Sequence, residues 1–206
     1  MKVVCISDTH GLHERVDVPD GDLLIHAGDI TNLGEIERVR SFDDWLATLP
    51  HPNKVVIAGN HDSCFERTPE VAAALITHAH YLVDSAVEIL GRKIYGSPWQ
   101  PWFMDWAFNL PRGEPIRRKW NQIPADTDIL VTHGPPATRG GNTAYGDDAG
   151  CADLKEAVER VQPALHVFGH IHEGYGIYPQ PDTTYVNASI CTIGYEPVNP
   201  PVVIEL

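Results

Sequence analysis

The sequence predicts an α/β fold, and two features of the chain indicate it. Short apolar runs rich in Val, Ile and Leu recur without alternating polar residues, which is typical of strands covered on both faces. Segments with helical spacing lie between several of these runs. The apolar runs occupy residues 3–6, 23–25, 55–57, 129–131 and 165–168.

Three segments between the apolar runs predict helices. Residues 35–49 place their apolar side chains near one helical stripe. Thr68 followed by Pro69 predicts an N-cap and a proline at the first helical position. Residues 153–161 carry a further helical pattern, and Pro163 follows its predicted end.

The later part of the chain predicts more β structure. Residues 87–95, interrupted by Gly91, predict a hairpin, and residues 183–186 and 202–204 predict short strands. Neither a linker nor an internal repeat divides the 206 residues, a length that suits one substantial core. We therefore expect one domain over residues 1–206.

Composition limits the classes of partner. The net charge of −13 argues against binding to polymeric nucleic acid, which depends on Lys and Arg, but a pair of cations would still admit a small anionic substrate. The four cysteines form no CxxC pair, so we expect reduced, mostly buried thiols. Only four apolar residues follow Met1-Lys2, and no run reaches a membrane span, so we expect a cytoplasmic protein without a membrane partner.

Each apolar run ends at a polar cluster that contains candidate metal ligands. Because ligands of open α/β sheets bind at the carboxyl ends of strands, we expect these clusters to meet. Carboxylate, amide and imidazole ligands without thiolate suit Mn²⁺, Fe or Zn²⁺, with Mn²⁺ our first choice. Seven ligands fit two divalent transition-metal ions that share a carboxylate better than one ion. The seven candidates are Asp8, His10, Asp29, Asn60, His133, His170 and His172.

The same clusters resemble the signature blocks of the calcineurin-like metallophosphoesterases, in the family's order. The five blocks are Asp8-Thr9-His10, Gly28-Asp29, Gly59-Asn60-His61-Asp62, Thr132-His133-Gly134 and Gly169-His170-Ile171-His172. A narrower set resembles the metallophosphoesterase-domain-containing (MPPED-type) branch of phosphodiesterases. That set comprises residues 95–99, 101–103, 108–113, 133–136, 172–176, 184–189 and 197–201.

The resemblance implies a fold of four layers, in which two mixed β-sheets pack face to face and helices flank them. It also implies a division of the ligands. Asp8, His10, Asp29 and His172 would hold the first ion, and Asp29, Asn60, His133 and His170 would hold the second. Asp29 would then bridge the ions. Some animal members of the branch have Gly at the position of His170, so the histidine here implies a fully equipped site.

The resemblance further implies a mechanism. A water bridging the two ions, acidified to hydroxide, would attack phosphorus in line, while the metals and Asn60 stabilise charge on the equatorial oxygens. His61 would protonate the leaving oxygen as general acid. Asp29, Asn60 and His61 are therefore the expected catalytic residues, and Asn60 and His61 are also expected to contact substrate.

One departure from the wider family narrows the class of expected substrates. Phosphoprotein phosphatases of this superfamily carry GDxVDRG, whose second Asp orients the catalytic His and whose Arg grips phosphate. Residues 28–34 read GDITNLG and lack both, which argues against a phosphoprotein substrate and leaves the orienting partner of His61 unidentified. Asp62 has two open interpretations, a supporting partner of the ligands or a turn residue.

An aromatic segment, residues 99–112, has two interpretations. Its aromatic side chains can pack a long loop against the core, or they can stack on a base. We favour packing for most of them, and Trp102 and Phe103 are the best candidates for a substrate-binding wall. Arg112, Arg117 and Arg118 are expected in surface ion pairs.

The expected function is a dimetal phosphodiesterase for small phosphodiesters, with cyclic nucleotides such as 2′,3′-cAMP or 3′,5′-cAMP (or the cGMP equivalents) as the leading class. A phosphomonoesterase or nucleotidase is the alternative, because dimetal sites often accept both ester types. A non-catalytic scaffold that binds a nucleotide or a protein is a third hypothesis, and it predicts eroded ligands, which this sequence does not have. The oligomeric state stays open.

Overall fold

The computed structural model describes residues 1–206, whose main strands form two mixed sheets. The first sheet has the order β13-β1-β2-β3-β4, in which β1 to β4 are parallel and β13 is antiparallel to β1. Its strands are β1 Lys2–Ile6, β2 Leu23–His26, β3 Asn53–Val56, β4 His80–Tyr81 and β13 Val202–Glu205.

The second sheet has the order β11-β12-β10-β9-β6-β5, with a parallel centre and an antiparallel strand at each edge. Its strands are β5 Ser85–Ile89, β6 Arg92–Ser97, β9 Ile129–Thr132, β10 Leu165–Phe168, β11 Gly176–Pro179 and β12 Thr184–Asn187. A separate short pair is formed by β7 Gln100–Pro101 and β8 Asn109–Leu110.

The two sheets pack face to face through alternate residues of their central strands. Val3 and Ile25 of the first sheet and Val131 and Val167 of the second belong to one buried apolar cluster. Intervening residues such as Val4 point to the opposite face, where a second cluster includes residues of the helices. These strands are buried on both faces, which explains why their apolar runs do not alternate.

Helices cover the outer face of each sheet. On the first sheet they are α1 Ile36–Thr48, α2 Ser63–Arg67 and α3 Pro69–Ala73, and on the second they are α4 Glu114–Trp120 and α5 Ala152–Val161. The four-layer α/β fold is thus confirmed. Of the helices, α1, α3 and α5 were predicted, whereas α2 and α4 were missed.

Thr68 occupies the N-cap position of α3 and Pro69 lies at the start of the helix, as predicted, but the Thr68 side chain makes no capping hydrogen bond. Its hydroxyl donates instead to the carbonyl of Cys64 at 3.0 Å, closing the last turn of α2. The four cysteines are buried and unpaired, as expected. None of the helices has the length and apolar character that crossing a membrane requires.

Candidate metal centre

The seven candidate ligands meet at one end of both sheets. Asp8 follows β1 and Asp29 follows β2, while His133 follows β9 and His170 follows β10. These four strands are parallel within their sheets, so their carboxyl ends share an edge. A single bridge between Ser7 and Ser189 joins the two sheets at this point.

Three overlapping groups of side chains could each hold a metal ion, with the ligand atoms of each group within 4.8 Å of one another. Two of them consist of predicted ligands alone: Asp8, His10 and His172 form the first group, and Asp29, His133 and His170 form the second. The remaining group, His10, Asp29 and His61, includes the residue expected to act as general acid. Asp29 joins the first and second groups, because its Oδ2 atom lies 3.4 Å from His133 Nε2 and 3.8 Å from His10 Nε2. The arrangement resembles two adjacent sites with a shared carboxylate.

The imidazoles are oriented by backbone carbonyls behind them. His133 Nδ1 donates to the Ala27 carbonyl and His172 Nδ1 to the Thr192 carbonyl, both at 2.9 Å. Their Nε2 atoms therefore face inward, and such contacts commonly fix the tautomer of metal-binding histidines.

The inward-facing atoms of the second group are all electron-pair donors. His133 Nε2 lies 2.9 Å from Asn60 Oδ1 and 3.4 Å from Asp29 Oδ2. In the first group, His172 Nε2 lies 3.3 Å from His10 Nε2 and 3.4 Å from Asp8 Oδ1. Donors that converge in this way need a positive charge between them, so the residues fit divalent cations of the kind that bind nitrogen and oxygen.

The pKa directions agree with a site that attracts cations. Burial opposes the charged form of every group, yet the neighbouring Asp29 raises the pKa of His133 to about 9, and hydrogen bonding to Asp8 raises that of His172 to about 9. Burial likewise disfavours ionised Asp8 and Asp29, but His172 and His133, respectively, hold their pKa values below the ordinary range. Where such a site attracts a proton, a metal ion can displace it.

Four of the candidate ligands have an unusual backbone conformation. Asp8, His10, Asp29 and His170 have φ angles of 54°, 45°, 56° and 67°. Residues other than glycine rarely adopt this left-handed backbone region, and such strain persists only where the surrounding structure enforces it. The sharp turns point the four side chains into one small volume.

Glycines before the ligands leave room for the carboxylates. A Cβ on Gly59 would overlap Asp29 Oδ1, and a Cβ on Gly169 would overlap Asp8 Oδ2. The residues that precede Asn60 and His170 in the signature blocks therefore have to lack a side chain.

Asp62 supports the loops that carry Asp29 and Asn60. Its buried carboxylate accepts hydrogen bonds from the backbone of Gly59, Ile30 and Thr31 and from the Thr31 hydroxyl. Burial and the nearby Asp29 raise the pKa of Asp62 to about 6. Of its two interpretations, the structure favours the supporting partner over the simple turn residue.

Two supporting residues carried no predicted role. The Ser189 hydroxyl lies 2.9 Å from Asp8 Oδ2 and 2.8 Å from Asn187 Oδ1, and its single hydrogen can be donated to either oxygen. Asn187 Oδ1 also accepts from the Ser189 backbone at 3.1 Å. The amide of Asn187 donates to the carbonyls of Gly140 and Ile171. Both residues belong to the block 184–189, whose resemblance to the MPPED-type branch was the only available signal.

The unidentified partner of His61 is a backbone group. His61 Nδ1 donates to the Asn32 carbonyl at 2.7 Å, and Nε2 lies 4.0 Å from Asp29 Oδ2 at the edge of the cluster. The indole of Trp106 lies against the imidazole with ring centroids 4.1 Å apart. His61 is thus held on two sides with Nε2 directed towards the candidate ligands.

Two adjoining cavities open over the ligands. The inner one encloses about 170 Å³ above Asp29, Asn60 and His61, and the outer groove encloses about 340 Å³ beside His170. Phe103 lines both cavities.

The aromatic segment, residues 99–112, contributes both to the lining of the two cavities and to the buried core. Trp102 lines the outer groove and is 61% exposed, and Phe103 is 51% exposed. Phe108 of the same segment is buried in the core, as packing predicts.

The expectation for Arg112 was wrong. Its guanidinium makes no ion pair and donates instead to the carbonyls of Gly150 and Ala149. Arg117 and Arg118 do form ion pairs, with Asp153 and Glu114.

Comparisons with known proteins agree with the fold and the motifs. The family model described as calcineurin-like phosphoesterase matches residues 1–174. Metallophosphoesterase domain-containing protein 1 of Homo sapiens is 48% identical, over the whole of this chain and 71% of its own length. The UPF0046 protein C25E10.12 of Caenorhabditis elegans is 41% identical, over the whole of this chain and 81% of its own length.

Solved structures share the fold at low identity. One crystal structure superposes with a TM-score of 0.70 at 16% identity, covering 90% of this chain and 89% of the other. TT1561 of Thermus thermophilus superposes with a TM-score of 0.63 at 12% identity, covering 90% and 88%. At this level of identity the likeness concerns the fold alone.

Proposed function

This chain belongs to the calcineurin-like phosphoesterase family, and from that premise we propose that it is a dimetal phosphodiesterase acting on small phosphodiesters. The observation that carries the proposal is the position of Asp29, whose carboxylate lies between two groups of potential ligands. A shared carboxylate is what two adjacent ions require.

The proposed ligands fall into two sets, each of which is made up of side chains in contact with one another. Asp8, His10 and His172 would hold one ion together with Asp29, and Asn60, His133 and His170 would hold the other, also with Asp29. We propose Mn²⁺ for both, with Fe or Zn²⁺ as alternatives, because the donors are nitrogen and oxygen without sulfur. When bound, such a pair of ions acidifies water and neutralises charge on phosphate oxygens.

His61 is proposed as the general acid. Its Nδ1 atom is committed to the Asn32 carbonyl, so Nε2 is the atom that can deliver a proton to the leaving oxygen. Contact with Trp106 limits rotation of the ring. Asn60 lines the inner cavity beside His61 and would contact the phosphate.

Cyclic nucleotides are the proposed substrate class. The outer groove is large enough for a small ligand and carries exposed aromatic side chains beside the candidate ligands. Trp102 and Phe103 would contact the base, because stacking on an aromatic ring is worth about 1–3 kcal/mol and tolerates any base.

The proposal is tested by removing metal, restoring Mn²⁺ and measuring three substrate types. Bis-p-nitrophenyl phosphate and a panel of 2′,3′- and 3′,5′-cyclic nucleotides should be cleaved faster than p-nitrophenyl phosphate. Faster monoester cleavage would instead support a phosphomonoesterase, and binding without turnover would support a scaffold.

Paired variants test the groove. Trp102→Ala should raise KM for cyclic nucleotides about tenfold, which corresponds to the loss of one stacking contact. Met104→Ala is the control, because Met104 is 66% exposed in the same loop but lines neither cavity. Equal effects of the two variants would remove Trp102 from the substrate site.

A further inference from the structure

The inner cavity lacks the cationic side chains that a phosphate site often has. None of its nine lining residues is Lys or Arg. The outer groove contains one, Arg112, whose two terminal nitrogens donate to the carbonyls of Gly150 and Ala149. The charge of Arg112 is not paired with a carboxylate and belongs to the outer groove, whereas the inner cavity above Asp29, Asn60 and His61 has no Lys or Arg and depends on bound metal ions to hold a phosphate.

Glu173 adds a negative charge where the inner cavity meets the outer groove. It directly follows the candidate ligand His172 in a short 3₁₀ turn, His172–Gly174, and lines both the inner cavity and the outer groove. One carboxylate oxygen accepts a hydrogen bond from the Ala144 backbone at 2.9 Å. This hydrogen bond holds the carboxylate of Glu173, an exposed residue, at the boundary that the two cavities share.

We infer that Glu173 selects substrates by charge, disfavouring phosphate groups with two negative charges relative to phosphodiesters with one. The inference rests on the proposed function and makes it more specific. The favoured class is a monoanionic diester whose remaining part carries no further negative charge.

The physical basis is the difference in repulsion between two substrates in the same site. A diester phosphate has one charge, whereas a monoester phosphate has almost two above its second pKa of about 6. The extra charge is repelled by the carboxylate of Glu173, which lines the cavity that the phosphate would occupy, and repulsion between two unit charges weakens the affinity for the doubly charged phosphate. We expect the charge of Glu173 to change the selectivity between the two esters by only about threefold to tenfold, because Glu173 is exposed and solvent screens the repulsion.

The direct test is Glu173→Gln. The amide oxygen can still accept from Ala144, so the variant removes the charge and keeps the anchor. The measured quantity is the ratio of kcat/KM for p-nitrophenyl phosphate to that for bis-p-nitrophenyl phosphate, at pH 8 with Mn²⁺. Because both values come from one preparation, metal occupancy and the active fraction cancel.

The ratio should rise about threefold to tenfold in Glu173→Gln. It should stay unchanged in Glu159→Gln, which removes one charge from an exposed position on α5 that lines neither cavity. A ratio that stays within twofold of the unsubstituted protein, or that rises equally in both variants, would overturn the inference while leaving the diesterase proposal intact.

A binding measurement separates this inference from the proposed function. The Kd of inorganic phosphate, measured by calorimetry on Mn²⁺-loaded protein at pH 8, should fall by a similar factor in Glu173→Gln and remain constant in Glu159→Gln. If the unsubstituted protein cleaves neither ester, the proposed function is wrong, and these two Kd values still decide the role of Glu173. An unchanged Kd in Glu173→Gln would contradict that role.

Discussion

The imidazole of His61 is held by the carbonyl oxygen of Asn32, 2.7 Å from Nδ1. Asn32 lies in the segment that lacks the orienting aspartate of phosphoprotein phosphatases, so a backbone group takes the place of a side chain. A neutral carbonyl fixes the ring without adding a negative charge beside the candidate ligands.

His61→Ala should slow diesters with poor leaving groups more than those with good ones. General acid catalysis is worth about 10²–10⁴-fold where the leaving alkoxide needs a proton, and far less for p-nitrophenolate. The measurement is kcat for a cyclic nucleotide and for bis-p-nitrophenyl phosphate. Equal slowing of both substrates would show that His61 is not the acid.

Ser189→Ala should weaken metal binding without unfolding the protein. The Ser189 hydroxyl lies 2.9 Å from Asp8 Oδ2, and loss of such a supporting contact typically lowers metal affinity about 10–100-fold. Mn²⁺ affinity measured by calorimetry checks this.

Ser97→Ala is a matched control, because Ser97 is also fully buried and donates to a carboxylate, Asp84, at 2.8 Å. Each change should cost about 1 kcal/mol of stability. If both variants keep the original Mn²⁺ affinity, Ser189 is only a packing residue.

Gly59→Ala should abolish tight Mn²⁺ binding. The added methyl group would overlap Asp29 Oδ1 and force the proposed bridging carboxylate to move. Gly194→Ala is the control, since the nearest atom to its Cβ is 3.7 Å away. Retention of the original Mn²⁺ stoichiometry and affinity in Gly59→Ala would contradict the proposed role of Asp29.

His166 should make the metal-free protein sensitive to acid. Burial lowers its pKa to about 3, against about 6.5 in an unfolded chain, so the unfolded state binds more protons between these values. The stability is complete above pH 6.5 and falls with decreasing pH, by up to about 1.4 kcal/mol per unit from this residue.

The test of His166 is urea unfolding with EDTA between pH 4 and pH 7. His166→Gln should reduce the slope of stability against pH, because glutamine can still donate to the Thr132 hydroxyl and does not titrate. His80→Gln, at an exposed position, should keep the original slope. Identical slopes in all three proteins would refute the assignment to His166.

The sequence predicted elements whose pattern reflects burial over a long stretch. The apolar runs at β1, β2, β3, β9 and β10 and the stripe of α1 all match buried residues of the structure. By contrast, α2 has only five residues and α4 only seven, too few for a periodic pattern. Arg112 was misjudged because carbonyls of a distant loop, rather than acidic residues, receive its donors.

Parts of the candidate site had no sequence signal. The carbonyls of Ala27, Asn32 and Thr192 orient histidines, and any residue type supplies a carbonyl. Ser189 is 181 positions from Asp8, so only the folded chain reveals their contact. Strand-end position, in contrast, predicted where the seven candidate ligands come together.

The central claim, that Asp29 joins two metal ions, is tested most directly by titrating metal-free protein with Mn²⁺ while recording electron paramagnetic resonance spectra. We predict two Mn²⁺ per chain with a spin-coupled spectrum, as expected for ions about 3.5–4 Å apart, and loss of the coupling in Asp29→Ala. A single ion per chain, or two ions whose spectrum is uncoupled and unchanged by Asp29→Ala, would contradict the claim.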